Sequence, residues 1–314
     1  MMNIVIRLAS LDDVRGIVEV HCSSIDKWVK RINGEEVEAR YEELNVEERF
    51  RHGGPWVSVE TCAIHINYLL AYGQYPLIAE LNGKIIGELE LYIGEERNIL
   101  GKCAYIDVLE VHRNYRRRGI GRALVNKAIE IARKHSCDTI AVWPTKEAIE
   151  FYRKCGIRET AYNIVYLEID LRKTKPKERN TYEIKTFPNE YNILKDMELI
   201  SPRIFSSFAA WLKSRWRYAI EEARTVGAEG YIPELQAVYI IESQWFNTDV
   251  ARLSLWISSK EKIPFIMNVI FKIAKNMGFN KLHLLIDESI YQDLMKDYSH
   301  KIIDHELLLI SKLK

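Results

Sequence analysis

The sequence predicts a mixed α/β fold, α+β in the way its strands and helices are grouped: a mixed sheet flanked by helices and laid down twice. Three observations carry this. Two β-type runs are joined by Asn82-Gly83, a dipeptide that favours a tight hairpin turn. A strand ending at Val111 leads through a glycine-bearing turn into an amphipathic helix. The order strand, helix, strand, helix, strand over 105–171 then recurs at similar spacing in the second half, although residue identity is low.

Taken in order, Ile4-Val5-Ile6-Arg7 is a short β-type run. Ser10 is placed as a helix N-cap, with Asp13 at the capping-box position. Residues 14–74 carry mixed helical periodicity and several aromatics, among them Trp28, Tyr41, Trp56 and Tyr68. Strands follow at Tyr75–Glu80, Ile85–Tyr92 and Ala104–Val111. Ile120, Leu124, Ala128 and Ile131 recur at helical spacing, and Thr139–Trp143 reads as a strand. A short helix from Thr145 to Lys154 ends at Gly156, and Tyr162–Leu171 is a last strand. The polar, basic stretch 172–180, with Pro176, reads as a linker between domains at 1–171 and 181–314, and a solvated connection is favoured there over a nucleic-acid contact. In the second half, Tyr182–Ile184 is a short strand and helical segments run to about Val226. Strands then fall at Gln236–Ser243 and Val250–Ile257. A helix at Pro264–Met277 carries Phe265, Val269, Ile273 and Met277 on one face. A strand at Lys281–Ile286, a helix at Ser289–Tyr298 and a strand at Ile302–Ile310 complete the chain.

The composition is that of a globular protein: 314 residues, 47% hydrophobic, net charge +1, which gives no global argument for nucleic acid or membrane. The five cysteines form no C-x-x-C pair, so neither a disulfide framework nor a zinc site is expected. Without a long apolar N-terminal stretch or a run able to span a bilayer, a cytoplasmic protein is expected.

The chemistry concentrates between Tyr105 and Gly121. Arg116-Arg117-Arg118-Gly119-Ile120-Gly121 follows a strand and opens a helix. A helix N-terminus exposes unpaired N–H groups and a partial positive charge, glycines let the backbone approach an anion, and arginines add charge-assisted hydrogen bonds. Together they make a pyrophosphate cradle. A second segment, Ala148-Ile149-Glu150-Phe151-Tyr152-Arg153-Lys154-Cys155-Gly156-Ile157, lies downstream.

With these two motifs, residues 1–171 resemble the GNAT superfamily of acyl-CoA-dependent N-acyltransferases, most strongly over 104–157. Arg116-x-x-Gly119-x-Gly121 is similar to that family's Q/R-x-x-G-x-G/A turn, and Ala148-x-x-Phe151-Tyr152-x-x-x-Gly156-Ile157 to its second motif. The resemblance implies acetyl-CoA as co-substrate and no metal. It implies that backbone N–H groups of Arg117, Arg118, Gly119, Ile120, Gly121 and Arg122 hold the pyrophosphate, with the Arg116 side chain supporting the loop. Leu109 and Val111 would splay from the neighbouring strand to pair with the pantetheine arm, and Tyr152 would protonate the departing thiolate; the competing reading of Tyr152 is a core aromatic. Thr145 stands where the family often has an asparagine, and could cap the helix and replace that amide only in part.

For the general base, strand alternation puts Tyr105, Asp107 and Leu109 on one face and Ile106, Val108 and Glu110 on the other. Asp107 is the first choice because it shares a face with Leu109; Glu110, His112 and Glu88 are alternatives. The second half has no glycine in Ser258-Ser259-Lys260-Glu261-Lys262-Ile263-Pro264, where the turn should fall, and its approximate counterpart of Tyr152 is near Met295. It reads as a degenerate copy. The segment from Phe208 to Tyr218 mixes aromatic and basic residues, and an amphipathic helix is favoured there over a nucleic-acid stack. Whether Trp245 or Tyr291 reaches the first half's cleft is left open, as are the acceptor and the oligomeric state. The activity expected is acetyl transfer to a primary amine by direct attack in a ternary complex. The alternative is an inactive acyl-CoA-sensing or partner-binding protein.

Overall fold

Alternating apolar residues set the first strand, β1 (Ile4–Leu8), along the edge of the main sheet. Asp13 then fixes the entry to α1 (Val14–Cys22): its carboxylate accepts from the Ser10 N–H at 2.8 Å and the Ser10 hydroxyl at 3.0 Å, and it is gripped by both terminal nitrogens of Arg7 at 2.7 Å. The computed structural model describes residues 4–33, 35–174, 181–201, 205–216, 226–244, 247–295 and 298–313.

Residues 14–74 hold more than helices. A separate hairpin of β2 (Val29–Ile32) and β3 (Glu35–Glu38) precedes α2 (Val46–Gly53) and α3 (Val59–Ala71). The hairpin is mostly exposed and charged, so it lacks the buried apolar alternation that marks a core strand. The Asn82-Gly83 turn is as read: φ is 51° and 78°, and it joins β4 (Tyr75–Leu81) to β5 (Lys84–Glu95). Next come β6 (Lys102–Val111), α4 (Ile120–Lys134), β7 (Thr139–Val142), α5 (Ile149–Lys154) and β8 (Glu159–Asp170). In α4 the buried line is Ile120, Leu124, Val125, Ala128 and Ala132, with Ile131 at its margin.

The second half departs further from the periodicity. Tyr182–Ile184 forms no named strand; the nearest pairing is a single bridge from Lys185 to Tyr231. The expected long helices are replaced, among described residues, by a three-residue strand, β9 (Glu198–Ile200), and a two-turn helix, α6 (Ser207–Ser214). Residues 217–225, and with them Tyr218, lie outside the described residues, as do Trp245 and the linker positions 175–180 with Pro176. The sequence then forms β10 (Val226–Ile232), β11 (Ala237–Gln244), β12 (Asn247–Ile257), α7 (Ile263–Asn276), β13 (Lys281–Asp287), α8 (Glu288–Met295) and β14 (His300–Lys312). The buried stripe of α7 is Ile263, Ile266, Met267, Ile270, Phe271 and Ala274, one position away from the face read from sequence. Phe265 and Met277 are exposed: the helix carries apolar residues beside its main stripe, and the sheet takes the denser stripe.

Apart from the small hairpin, every strand joins one mixed sheet of order β1-β4-β5-β6-β7-β14-β8-β13-β12-β11-β10, with β9 paired to β12. From the centre outward, the order is the same in both directions. The succession β6-α4-β7-α5-β8 matches β12-α7-β13-α8-β14, and β6–β7 and β12–β13 are the parallel pairs. The duplication therefore holds at the level of fold. The last strands are exchanged: β14 pairs with β7 of the first half, β8 pairs with β13 of the second, and the two run antiparallel to each other. The sheet is thus continuous where the sequence suggested a linker, and Leu171 beside it is fully buried.

One apolar cluster of the first half lies under α1 and α3 and also takes in α6; another lies under α4 and α5 on the opposite face. Burying a Leu or Ile side chain contributes roughly 1.5–3 kcal/mol, so these two layers hold the strands that frame the site.

Candidate functional site

The site begins where two parallel strands part. β6 pairs with β7 from Cys103↔Thr139 to Ile106↔Val142 and no further, yet β6 runs on to Val111 alongside β5. Beyond Val142, Trp143-Pro144 turns the chain away, and a proline cannot donate to a ladder. The β7-facing edge of residues 107–111, which includes Leu109 and Val111, is therefore left without a strand partner among the described residues. One backbone group there is already used: the Val111 carbonyl accepts from Arg116 Nε at 3.0 Å.

The glycine turn closes the wide end of this fork. Arg117 and Gly119 adopt φ of 63° and 83°, and Gly119 is the N-cap of α4. A Cβ at Gly119 would meet no atom within 4 Å, so open space faces the helix N-terminus at that point. Gly121 serves packing instead. A Cβ there would sit 3.2 Å from Phe151, so its absence lets α4 pack against α5. Gly87 does the same for β5, where a Cβ would press on the Glu110 carbonyl, Ile120 and Leu124 at 3.2 Å. Arg116 braces the loop, donating to Ser24 Oγ and Glu110 Oε1 at 2.6 Å each. Arg118 stands 5.4 Å over the Tyr115 ring, and Arg122 lies within the first turn of α4 beside Gly121.

Tyr152, on α5, is 6% exposed within the same cluster as Ile106 and Val142, with its ring edge-on to Phe151 at 5.0 Å. Burial pushes its phenol far above the ordinary range, so it stays protonated. Thr145 occupies the N-cap position of the turn before α5, but its side chain makes no capping bond; its carbonyl accepts from Ala148 N at 2.9 Å.

The opposite face of the fork carries a buried polar cluster. Here the alternation read from sequence breaks. Between Glu90↔Val108 and Leu91↔Ile106 the register slips, leaving Asp107 as the extra residue of a β-bulge. Past the bulge the faces are reset: Leu109 packs in the α4–α5 layer with Ile106, whereas Glu110 lies opposite Glu88 and reaches Ser24 at the end of α1. Asp107 thus does not share Leu109's face. Its carboxylate points to the α1–α3 side, where Lys213 of α6 donates to it.

On the same α1–α3 side stand two carboxylate–imidazole pairs. His21 of α1 lies 2.5 Å from Glu88, and His65 of α3 lies 2.7 Å from Glu90. Trp56 Nε1 and the Tyr92 hydroxyl also donate to Glu90, at 2.6 and 3.1 Å. Both carboxylates are fully buried. Burial lifts the Glu88 carboxyl above its ordinary value against the pull of His21. Burial also opposes the charged form of His21, but Glu88 more than offsets it, so the imidazole titrates higher than usual and the pair tends to keep a proton. At Glu90 burial is outweighed by His65, Lys213 and the Trp56 N–H, which bring its carboxyl down to about 2. Two carboxylates on one strand face are driven apart in acidity. The second oxygen of Glu88 has no hydrogen-bond partner among the described residues. His112 sits apart: burial and Lys84 lower its pKa, and its Nδ1 accepts from Asn114 N at 3.2 Å. Sequence reasoning missed His21, His65, Glu90 and Lys213; Glu88-Leu-Glu90 in a strand otherwise reading as core was the available signal.

The equivalent fork in the second half is filled. β12 pairs with β13 over Val250–Arg252 only, then β9 enters: Ile200, Leu199 and Glu198 pair with Leu255, Trp256 and Ile257. Ser201 continues it, exchanging two 3.0 Å bonds with Leu285 of β13. The turn 258–262 has no glycine, as the sequence indicated. The side chain of Met295 lies outside the described residues, and Tyr291 donates or accepts at 3.0 Å with His300, within the second half.

A helix N-terminus opened by a glycine turn at the end of a splayed strand pair is suited to holding an anion through its backbone N–H groups. Residues 37–157 match the acetyltransferase (GNAT) family, and this part of the chain is a GNAT acetyltransferase domain. An uncharacterised N-acetyltransferase of Methanocaldococcus jannaschii is 36% identical over 90 residues, a stretch covering 26% of this chain and 38% of that relative. Among solved structures, a GCN5-related N-acetyltransferase from Anabaena variabilis is similar over 99% of this chain and 73% of its own (TM-score 0.62, 14% identity). One from Kribbella flavida is similar over 99% and 71% (TM-score 0.58, 12% identity). The likeness in fold therefore extends through the second half as well.

Proposed function

We propose that the chain transfers an acetyl group from acetyl-CoA to a primary amine by direct attack within a ternary complex. The observation that carries this is the open fork between β6 and β7, closed by the Arg117–Gly121 turn. In this reading the N–H groups from Arg117 to Arg122 hold the pyrophosphate, while Arg116 holds the turn itself. The free edge of β6 about Leu109 and Val111 receives the pantetheine arm, and a backbone N–H there polarises the thioester carbonyl. Thr145 borders the same fork. Asp107, at the first position beyond the last β6–β7 pair, takes the proton of the attacking amine, with the Glu88–His21 pair behind it as a second route. Tyr152, kept protonated by burial, supplies the proton to the thiolate. No metal is needed.

The test is release of free CoA across a panel of primary amines. Tyr152→Phe should lower the rate by roughly 10²–10⁴ and leave acetyl-CoA binding intact, whereas a purely packing role would leave the rate untouched. If Asp107→Asn changes neither rate nor pH profile, Asp107 is not the base. Acetyl-CoA binding with no product from any amine would favour a sensing or partner-binding protein.

A further inference from the structure

The second half does more than close the sheet: it delivers one amine to the fork of the first. Three contacts fix α6 there. The Glu96 carboxylate caps the helix, accepting from Ser206 Oγ at 2.5 Å and from the N–H groups of Ser207 and Phe208 at 3.1 and 3.0 Å. Buried Arg97 pairs with Glu198, at the start of β9. β9 itself is seated in the second half's fork, a few residues before α6. From this anchored helix Lys213 reaches across to Asp107.

Lys213 is not placed as a surface lysine would be. Its side chain is 19% exposed. Its ammonium lies 5.1 Å from the Tyr92 ring centre and 5.9 Å from that of Trp56, with the Asp107 carboxylate in contact and ionised Glu90 close by. Two aromatic faces and carboxylates form a cage for a primary alkylammonium. Asp107 is the residue at the apex of the fork, where the acyl end of a pantetheine arm would arrive. The chain's own ε-amine thus occupies the place an acceptor amine needs.

Resting on the acetyl-CoA reading above, we propose that the chain acetylates itself at Lys213. Lys213 Nζ gives a proton to Asp107 and its lone pair attacks the thioester carbonyl carbon. The tetrahedral adduct collapses with cleavage of the C–S bond, and the thiolate takes a proton from Tyr152. As the adduct collapses its nitrogen loses a second proton to Asp107, which has by then passed the first to water. The products are an Nε-acetyl amide and free CoA, and of the two protons lost by the nitrogen one balances the reprotonation of Tyr152 from solvent and one is released. Conversion of the ammonium to a neutral amide breaks the ion pair with Asp107 and ends the reaction after one acetyl group per chain.

The experiment is incubation of the full chain with acetyl-CoA, followed by intact mass and peptide mapping, with thermal unfolding as a parallel readout of acetyl-CoA binding. The expected result is a single acetyl group on Lys213, appearing at a first-order rate independent of protein concentration. It should be missing in Lys213→Arg and in Gly119→Glu, the latter separating templated transfer from chemical acetylation. If acetyl-CoA stabilises the chain but Lys213 keeps its free amine, self-acetylation is wrong while the acetyl-CoA reading stands. Label spread over surface lysines at a rate that rises with protein concentration overturns it equally. If acetyl-CoA neither stabilises nor labels the chain, both readings fall together.

Discussion

Gly119→Glu separates the folding role of the turn from its binding role. Gly119 has φ of 83° and a Cβ there would meet no atom within 4 Å, so the only folding penalty is conformational. A left-handed conformation costs an ordinary residue roughly 1–2 kcal/mol. Loss of glycine's freedom in the unfolded chain returns about 0.4–1 kcal/mol, and a carboxylate at the N-terminus of α4 returns about 0.3–1 kcal/mol. The net change is within about 1 kcal/mol. With an unfolding entropy of ~2.1 cal/mol/K per residue over 314 residues, one kelvin corresponds to ~0.7 kcal/mol, so the ligand-free variant should melt within about 2 °C of wild type. Acetyl-CoA at about a hundred times its Kd adds ~2.7 kcal/mol to the wild type, a rise of about 4 °C. The variant, with a carboxylate where the pyrophosphate should lie, should show none. Differential scanning fluorimetry of both proteins with and without acetyl-CoA reads all four values. A variant that keeps the full ligand shift would refute the placement of the pyrophosphate; one that melts far lower without ligand would refute the strain arithmetic.

Two further outcomes concern stability. Arg97 is 3% exposed and holds Glu198 and Glu96; Arg97→Met leaves both carboxylates without it and should cost roughly 3–5 kcal/mol, seen as a fall of several degrees in Tm, whereas a surface pair would cost almost nothing. Asp13 is held below its ordinary pKa of 3.8 chiefly by Arg7. Its contribution is therefore present above pH 3.8 and lost as pH falls through the lower folded value. Because Arg7 is 39% exposed, the loss should be only about 1 kcal/mol; urea midpoints of Asp13→Asn should lie below wild type at neutral pH and converge with it in acid, and parallel curves would rule this out.

The parts legible in the sequence were those set by local chemistry. Asn82-Gly83 permits a positive-φ turn, and Arg116 to Gly121 announces a helix N-terminus open to an anion. The rest depends on contacts distant in sequence. A single extra residue at Asp107 reverses which side chains face α1, and period-two counting through Tyr105 to Val111 cannot register it. β9 is three residues long, too short to carry a pattern, and it is defined only by the fork that it fills. The exchange of β8 and β14 leaves each strand's own alternation unchanged, so nothing local marks the partner. His21 and His65 sit on helices as ordinary polar residues until the fold sets Glu88 and Glu90 against them.

The most direct test of the central claim is isothermal titration of the wild-type chain with acetyl-CoA. The open fork between β6 and β7 and the fork filled by β9 predict one site per chain, abolished in Gly119→Glu. Two sites per chain, or one that survives Gly119→Glu, would contradict it.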